Sequence, residues 1–471
     1  MAVENFVRRR VHRWAGGILQ AAAVLLFSFA MGWDVHASPP VTDNKTGLPV
    51  GSELDDDAID NPREVFHSET LHGHKSYFSK LGNLAFNSPY ILGNVAQKAH
   101  ISCSSCHVNG ASNPKLFIPG LSTRPGNFDT TSALFNLKTD NGVLDPVTIP
   151  SLRGVRLLAP YGHDGRTASL RDFVRNVIVN EFGGPVPSQQ ILDAIMVYVE
   201  DIDFLPNPNL DQGGRLKSGA DAAQQRGEAL FAKPFPHDPS MSCAGCHMPS
   251  AAFVDHRQHD IGSGGLYKTP TLLNADFGAP YFHDGRFDNY GQVIDHFNRV
   301  FDLGLSAQDR ADLAAYLTAV GDGVKPQYHL TGSNVFSDID DFVSVLDLAI
   351  SSHDTEVIAL TVQSVGDMLQ GLADHYAEPA GGESRGGTHE RQLARTTLAA
   401  LMQQLHRAGL DAAHGRFDAA AGDYLNYRKL ALGAAPVALQ AAERWSQFNP
   451  ALHETHQTGL PPTAAGKTAS R

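Results

Sequence analysis

All four cysteines of the chain lie in two copies of one short pattern, C-x-x-C-H. The first copy runs from Cys103 to His107, and the second runs from Cys243 to His247. A thioredoxin-like redox pair needs one C-x-x-C and no following His, and a zinc ribbon needs its two pairs roughly 15–20 residues apart. The pattern is typical of covalent haem c, because two thiols bind the vinyl groups and the adjacent His ligates the iron.

The spacing within the pattern has a geometric reason. Residues three apart lie on one face of a helical turn, so both thiols of a motif reach the same flat macrocycle. His107 and His247 then become the proximal iron ligands of two haem groups. The sequence therefore predicts two covalently bound haem c groups, attached at four cysteines: Cys103, Cys106, Cys243 and Cys246.

Each motif opens a longer repeat, in which "APYGHDGRT" at 159–167 matches "APYFHDGRF" at 279–287. In both copies a Pro-Ser/Thr-Leu segment precedes this corner and an amphipathic helix closes the repeat. Asp-Gly favours a tight turn, and Ser169 or Asp288 is expected to cap the helix that follows. The repeat predicts a mainly α-helical chain that begins with two tandem cytochrome c-type haem domains.

The predicted domains span residues 60–204 and 217–326, and residues 205–216 form a linker rich in Pro, Asn and Gly. Residues 335–450 show apolar stripes at i, i+3, i+4 and i+7, so an α-helical C-terminal extension follows the haem domains. Residues 457–471 have the composition of a disordered tail.

The first 37 residues have the layout of a secretory signal. A basic stretch with four arginines precedes an apolar run from Ile18 to Met31, and a small-residue cleavage site follows at 35–37. A retained membrane anchor is the alternative. Export predicts a periplasmic protein with no stable membrane span after cleavage.

The charge balance excludes some partners. The formal net charge is −13, and loss of residues 1–37, with four basic and two acidic side chains, brings it to −15. Such a balance argues against nucleic acid and anionic lipid as partners, and it suits docking to a basic protein.

Residues from about 60 to 325 resemble the bacterial di-haem cytochrome c peroxidase superfamily, which includes the MauG-type enzymes. The matching pieces are "LGNLAFNSPYILG", "SCSSCH", "SCAGCH", "HDIGSGG", "KTPTL" and "PYFHDGR". The resemblance implies that the haem held by His107 meets hydrogen peroxide. It also implies that the haem held by His247 relays electrons from a small donor protein, either a c-type cytochrome or a copper protein. Two alternatives stay open: MauG-like oxidation of a protein or organic substrate, and a non-catalytic electron-transfer or sensor role.

The family's peroxidases carry a removable distal His after the first motif, but residues 108–162 contain no His, Met or Cys. We therefore expect an open iron at the first haem. Other candidates for a sixth ligand follow the motif or precede it: Tyr161, Lys115, Lys138, His67, His72, His74 and His100. At the second haem, the family's Met or Tyr ligand falls on Phe297, and the neighbouring His296 is the predicted substitute. One residue of helix is a rotation of about 100°, so a local shift is needed.

The resemblance also points to residues around the haems. Glu181 falls near the family's catalytic acid, and a surface acid is the alternative. His163 aligns with the family's Trp between the two haems. Each of His163 and His283 is expected either to bind haem or to lock its turn. The two corner arginines are expected to bind haem propionates, since a guanidinium binds a carboxylate bidentately: Arg166 and Arg286. His259 is expected to line the second haem pocket.

Overall fold

The structure is a computed structural model that describes residues 43, 45–54, 62–68, 75–377 and 387–449. The predicted signal at 1–37 and the predicted tail at 457–471 lie outside the described residues. Within the described ranges, no helix is both long enough and apolar enough to cross a membrane.

The described part of the chain is mainly helical, as the sequence predicts. The helices are α1 Tyr77–Phe86, α2 Asn94–Lys98, α3 Cys103–Cys106, α4 Leu170–Asn176, α5 Gln189–Asp201, α6 Ala222–Ala232, α7 Cys243–Cys246, α8 Tyr290–Val300, α9 Ala307–Gly321, α10 Gly332–Val343, α11 Leu346–Ser351, α12 Thr355–Asp374, α13 Thr388–Ala413, α14 Phe417–Leu432 and α15 Ala434–Ala442. Short antiparallel pairs join β1 Val65–Phe66 to β4 Ile202–Asp203, β2 Asn127–Phe128 to β3 Val147–Thr148, and β5 Gln258–Asp260 to β6 Leu266–Lys268.

The first repeat, residues 75–203, is built on the close crossing of α1 and α5. A Cβ added at Gly82 would lie 1.9 Å from the carbonyl oxygen of Ala194 and 2.7 Å from Cβ of Tyr198. Only glycine permits this approach, because any side chain would push the two helices apart. Ser76 caps α1 by accepting a hydrogen bond from the backbone N–H of Ser79 at 3.1 Å.

The second repeat, residues 205–322, contains the same crossing between α6 and α9. A Cβ added at Gly227 would lie 2.1 Å from the carbonyl oxygen of Asp312 and 2.7 Å from Cβ of Tyr316. Asp221 caps α6 through the backbone N–H of Gln224 at 2.8 Å. The two repeats therefore share the arrangement of their first and last helices.

Residues 205–216, the predicted linker, pack onto the second repeat. The backbone N–H of Leu205 donates to Asn274 Oδ1 at 2.8 Å, and the side-chain amide of Asn207 donates to the carbonyl of Val320 at 2.9 Å. Leu210 is buried in the apolar core of this repeat. The segment is therefore held by the second repeat along much of its length.

The helix caps after the two corners differ from each other. Ser169 caps α4, as predicted, by accepting from the backbone N–H of Asp172 at 3.2 Å. The expectation for Asp288 is wrong. Asn289 caps α8 instead, because its side chain reaches the backbone N–H of Gln292 at 3.0 Å, whereas the carboxylate of Asp288 pairs with Arg124.

Helices α10 to α15 form the C-terminal extension, and α10 and α12 contact the first repeat. The hydroxyl of Ser364 donates to that of Ser88 at 2.6 Å in a buried setting. Close by, the hydroxyl of Tyr90 donates to Asp367 at 2.6 Å. The extension thus covers a face of the first repeat, and polar contacts fix its position there.

Candidate functional site

The first C-x-x-C-H motif forms the single helical turn α3. Ser102 begins this turn with a capping box that includes Ser105, and His107 follows its end. His107 Nδ1 lies 3.3 Å from the carbonyl oxygen of Ala111, and the backbone of Pro150 also bonds to the ring. Burial lowers the pKa of His107 to about 4. The imidazole is therefore neutral, and with Nδ1 held by backbone its Nε2 is the atom left to bind a metal.

The second motif repeats this arrangement on α7. Ser242 caps the turn by accepting from the backbone N–H of Gly245 at 3.0 Å. His247 Nδ1 lies 3.2 Å from the carbonyl oxygen of Phe253, and the backbone of Pro270 bonds to the same ring. Burial lowers the pKa of His247 as well. Both motifs thus present a neutral His that is oriented through its Nδ1.

Aromatic rings support each His in the same way. In the first repeat, the Phe86 ring lies 6.4 Å from the His107 ring and 5.2 Å from the Tyr198 ring. The second repeat places Phe231 at 6.3 Å from His247 and at 5.0 Å from Tyr316. Each Phe follows by four residues the glycine at its helix crossing. In each repeat, the glycine at the helix crossing and the Phe beside the motif His therefore lie one turn apart on the same helix.

The residues present at both motifs fit covalently bound haem c. All four cysteines are free thiols, and none of them forms a disulfide. Burial raises the pKa of Cys103 and of Cys106 to about 12 and that of Cys243 to about 11. Two thiols three residues apart, next to an imidazole whose Nδ1 contacts a backbone carbonyl, form the donor set that haem c requires.

Glu181 is buried, with 7% of its surface exposed, so the surface-acid alternative is wrong. It ends a π-helical turn over Val177–Glu181, a geometry that is frequent at functional sites. Arg166 donates to its Oε1 at 3.2 Å and Asn176 donates to the same oxygen at 3.4 Å. Burial raises the pKa of Glu181 above its ordinary value, against the opposing effect of Arg166. Its catalytic role stays a prediction.

The two corner arginines both bind protein carboxylates. Arg166 spans two of them, since it also donates to Asp164 at 3.1 Å. Among the described carboxylates, Arg286 binds that of Asp284, with its closest nitrogen–oxygen distance at 2.6 Å. The link from Arg166 to the candidate acid was not predicted, because the sequence separation between them carries no signal of contact. The proposed binding of haem propionates by these arginines stays a prediction.

The corner histidines lie where the two repeats meet. His163 Nε2 donates to the carbonyl of Thr148 at 2.8 Å, and burial lowers the pKa of His163 to about 4. The ring of His283 stacks on Tyr267 at 3.8 Å between centroids. Backbone groups cross-link the corners: Thr148 N–H donates to the carbonyl of His283 at 2.7 Å, and Lys268 N–H donates to that of His163 at 2.9 Å. Each corner therefore binds the hairpin of the other repeat.

His296, the predicted ligand of the second haem, is buried on α8. Its Nε2 donates to the carbonyl of Ile261 at 2.7 Å. Phe282, Phe287 and Phe297 surround the ring at centroid distances of 4.8, 5.4 and 5.6 Å. The imidazole thus lies in an apolar cage next to the "HDIGSGG" loop, and its ligand role stays a prediction.

The candidates for a sixth ligand at the first haem that lie among the described residues make other contacts or lie on the surface. Tyr161 is buried, and its hydroxyl donates to the carbonyl of Val155 at 3.5 Å. Lys138 is exposed. His67 and His100 are exposed and lie 3.3 and 3.8 Å from the carboxylates of Asp203 and Asp367. Lys115 interacts with another group of the protein. His72 and His74 lie outside the described residues.

The structure also brings together residues that sequence reasoning left apart. His259 Nε2 lies 2.6 Å from Asp255 Oδ2, and the ligand atoms of both lie within 4.8 Å of Cys246 Sγ. This places His259 beside the attachment cysteine of the second motif. The spacing D-x-x-x-H was the available signal, since a four-residue separation allows two side chains to meet in a local turn.

Comparison with known proteins gives a family match and two curated relatives. The family model described as di-haem cytochrome c peroxidase matches residues 222–345, and so extends beyond residue 325 into α10. Hydrazine synthase subunit gamma of Kuenenia stuttgartiensis is 24% identical over 307 residues, which is 52% of this chain and 78% of that protein. Cytochrome-c peroxidase IdrP1 of Pseudomonas sp. (strain SCT) is 30% identical over 79 residues, which is 14% of this chain and 20% of that protein.

Two solved structures are similar at low sequence identity. Kuenenia stuttgartiensis hydrazine synthase, pressurized with xenon, matches at a TM-score of 0.38 and 20% identity, over 65% of this chain and 99% of that chain. A MauG-like protein associated with microbial copper homeostasis matches at a TM-score of 0.38 and 18% identity, over 55% of this chain and 92% of that chain. The family match agrees with the motifs of the second repeat, and residues 222–345 are therefore similar to the di-haem cytochrome c peroxidase family.

Proposed function

We propose that this protein is an exported, periplasmic di-haem c-type cytochrome that reduces hydrogen peroxide with electrons from a small redox protein. One asymmetry between the two repeats carries the proposal. Both repeats hold a neutral His in the same way, but only the first has a buried carboxyl, Glu181, between its corner and its last helix. The buried carboxyl of the second repeat, Asp312, lies within the last helix and pairs with Arg226. Phe301 occupies the equivalent position of the second repeat, 120 residues further on. A proton-transfer group that is present in just one repeat supports a division between a catalytic site in that repeat and a relay site in the other.

The chain's own residues have distinct roles in this proposal. Bound haem supplies one-electron chemistry at iron, which the protein tunes through its ligands and surroundings. His107 Nε2 holds the catalytic haem, with Nδ1 fixed by the carbonyl of Ala111. Glu181 holds a proton in a buried position and moves it between peroxide oxygens, and Arg166 and Asn176 orient its carboxyl group. His247 holds the relay haem.

The donor is proposed to be a small c-type cytochrome or copper protein. The net charge of −15 after loss of residues 1–37 favours a donor with a basic surface, since opposite charges accelerate association. The alternative is oxidation of a protein or organic substrate, or electron transfer without catalysis. The longer of the two curated matches is to a subunit of hydrazine synthase, and this favours a test for chemistry other than peroxide reduction.

The deciding experiment uses the purified, haem-loaded full chain. A pyridine haemochrome assay first establishes two covalent haems per chain. One equivalent of hydrogen peroxide is then mixed with the oxidised and the half-reduced protein, and the Soret and near-infrared bands are followed by stopped flow. A rapid change with consumption of peroxide is expected. Unchanged bands in both states would contradict peroxide reduction and favour an electron carrier or sensor.

A further inference from the structure

The two repeats use equivalent residues to bind each other, but the side chains of those residues differ. Thr148 and Lys268 each donate a backbone N–H to the corner His of the opposite repeat. The Thr148 hydroxyl then donates to the carbonyl of Phe282 at 3.0 Å. The Lys268 ammonium instead donates to the carbonyl of Leu158 at 2.8 Å. At this contact between the two repeats, which we call the junction, the first repeat therefore contributes the neutral side chain of Thr148. The second repeat contributes the cation of Lys268 at the equivalent position.

The ammonium group of Lys268 lacks a carboxylate partner in the described part of the chain. No salt bridge within 4.0 Å joins it to a described Asp or Glu, and its other close neighbour is the Tyr161 ring, 5.8 Å from Nζ. Burial lowers the pKa of Lys268 to about 8. The Lys268 side chain is half-buried, and charges withdrawn from water are normally paired, because an isolated one is costly to desolvate. The corner arginines differ in this respect, since each already binds a carboxylate of its own corner.

Lys268 lies between segments of the chain that belong to the two candidate haem sites. Its backbone lies two residues before Pro270, whose backbone bonds to the ring of His247. Its ammonium reaches across the junction to Leu158 of the first repeat, directly before the Ala159–Pro160 peptide of the first corner. A carboxylate partner for this cation would come from outside the described residues, and each haem brings two propionate carboxylates.

We propose that Lys268 is a positioning residue that supplies the counter-charge for a propionate of the haem in the first repeat, and so raises the reduction potential of that haem. The inference rests on the proposed two-haem assignment. A fixed positive charge favours the reduced state, because reduction removes one positive charge from the iron. The second repeat receives no equivalent charge from Thr148, which is neutral, and the first-repeat cation that reaches its corner, Arg124, is paired with Asp288. The junction therefore makes the two haem sites electrostatically unequal.

The test measures midpoint potentials of the haem-loaded full chain by spectroelectrochemical titration. The first-repeat haem is identified as the step that disappears when Cys103 and Cys106 are replaced by Ser. Lys268→Met is expected to lower the reduced-to-oxidised ratio of that haem about tenfold at fixed potential, which is about 59 mV for one electron. Lys268→Arg is expected to keep the wild-type potential. The matched control is Lys217→Met, since Lys217 also donates to a backbone carbonyl, that of Pro208 at 2.9 Å, but is exposed.

Three results would overturn the inference. The first is an unchanged potential in Lys268→Met protein that holds two haems. The second is equal lowering by Lys268→Met and Lys268→Arg, which would show a packing effect. The third is a shift confined to the second-repeat haem. A wild-type protein with no covalent haem would overturn the proposed function itself, and the haemochrome assay separates that failure from the other three.

Discussion

The backbone N–H of Thr148 donates a hydrogen bond of 2.7 Å to the carbonyl oxygen of His283, which lies 135 residues further along the chain. The reciprocal bond runs from Lys268 to His163 at 2.9 Å. The repeated His-Asp-Gly-Arg corners therefore hold the two repeats together, each through the hairpin of the other.

Replacement of the corner glycines by Ala should destabilise this contact. Gly285 has a φ of +75°, and a Cβ there would lie 3.0 Å from Cγ2 of Thr148. Gly165 has a φ of +63° and a similar close approach, to Pro160 at 2.9 Å. We expect each variant to lose about 1–3 kcal/mol of unfolding free energy, measured by chemical denaturation. Gly142→Ala is the control, because its φ is +70° with no neighbour within 4 Å. Equal losses at Gly142 and Gly285 would show that the contact adds nothing.

Glu181→Gln should remove proton transfer while keeping the shape of the side chain. We expect peroxide turnover to fall about 10²- to 10⁴-fold with two haems retained, measured with a small-molecule electron donor. Glu200→Gln serves as the control, because Glu200 is exposed at the surface of α5. A loss of less than threefold in the Glu181 variant would remove this residue from the mechanism.

The stability of the protein should depend on pH through Glu181. Burial raises the pKa of Glu181, so the folded chain binds this proton more tightly than the unfolded chain. Its contribution to the free energy of unfolding is therefore fully present below the ordinary Glu pKa and is lost as pH rises through the raised pKa. Denaturation midpoints measured from about pH 4 to pH 8 should show that the stability of the Glu181→Gln variant increases relative to that of the wild type as pH rises. A constant difference across this range would contradict the raised pKa.

The two corner arginines should have unequal effects on catalysis. Arg166 opposes the rise in the pKa of Glu181, so Arg166→Leu should raise that pKa further. The acid form then persists to higher pH, and we expect the alkaline limb of the kcat/KM profile to move upward. Arg286→Leu should leave that limb in place, since the carboxylate that Arg286 binds is that of Asp284 and not that of Glu181. Identical shifts in both variants would indicate a general effect of lost charge.

The cysteine pairs should act independently in haem attachment. Replacement of Cys103 and Cys106 by Ser is expected to lower covalent haem from two per chain to one, and replacement of Cys243 and Cys246 should do the same. Haem that resists acid–acetone extraction is quantified by the pyridine haemochrome assay. Two covalent haems in either double variant would contradict the attachment sites.

The sequence alone was sufficient for the local features. The C-x-x-C-H pattern, the helical stripes and the Ser169 cap depend on residues a few positions apart, so the pattern itself predicts the geometry. The family resemblance was predicted from such motifs too, and the match over residues 222–345 confirms it. The prediction for Asp288 was wrong even though it concerned residues close in sequence, because the neighbouring Asn289 caps the helix instead.

Tertiary structure decided the features that depend on distant residues. The burial of Glu181 follows from the packing around the π-helical turn, and the sequence left a surface acid open. The reach of Lys268 to Leu158, 110 residues earlier, has no local signal. A residue's charge state and partners depend on what the fold places around it, since desolvation and pairing are sums over neighbours that the chain brings together only on folding.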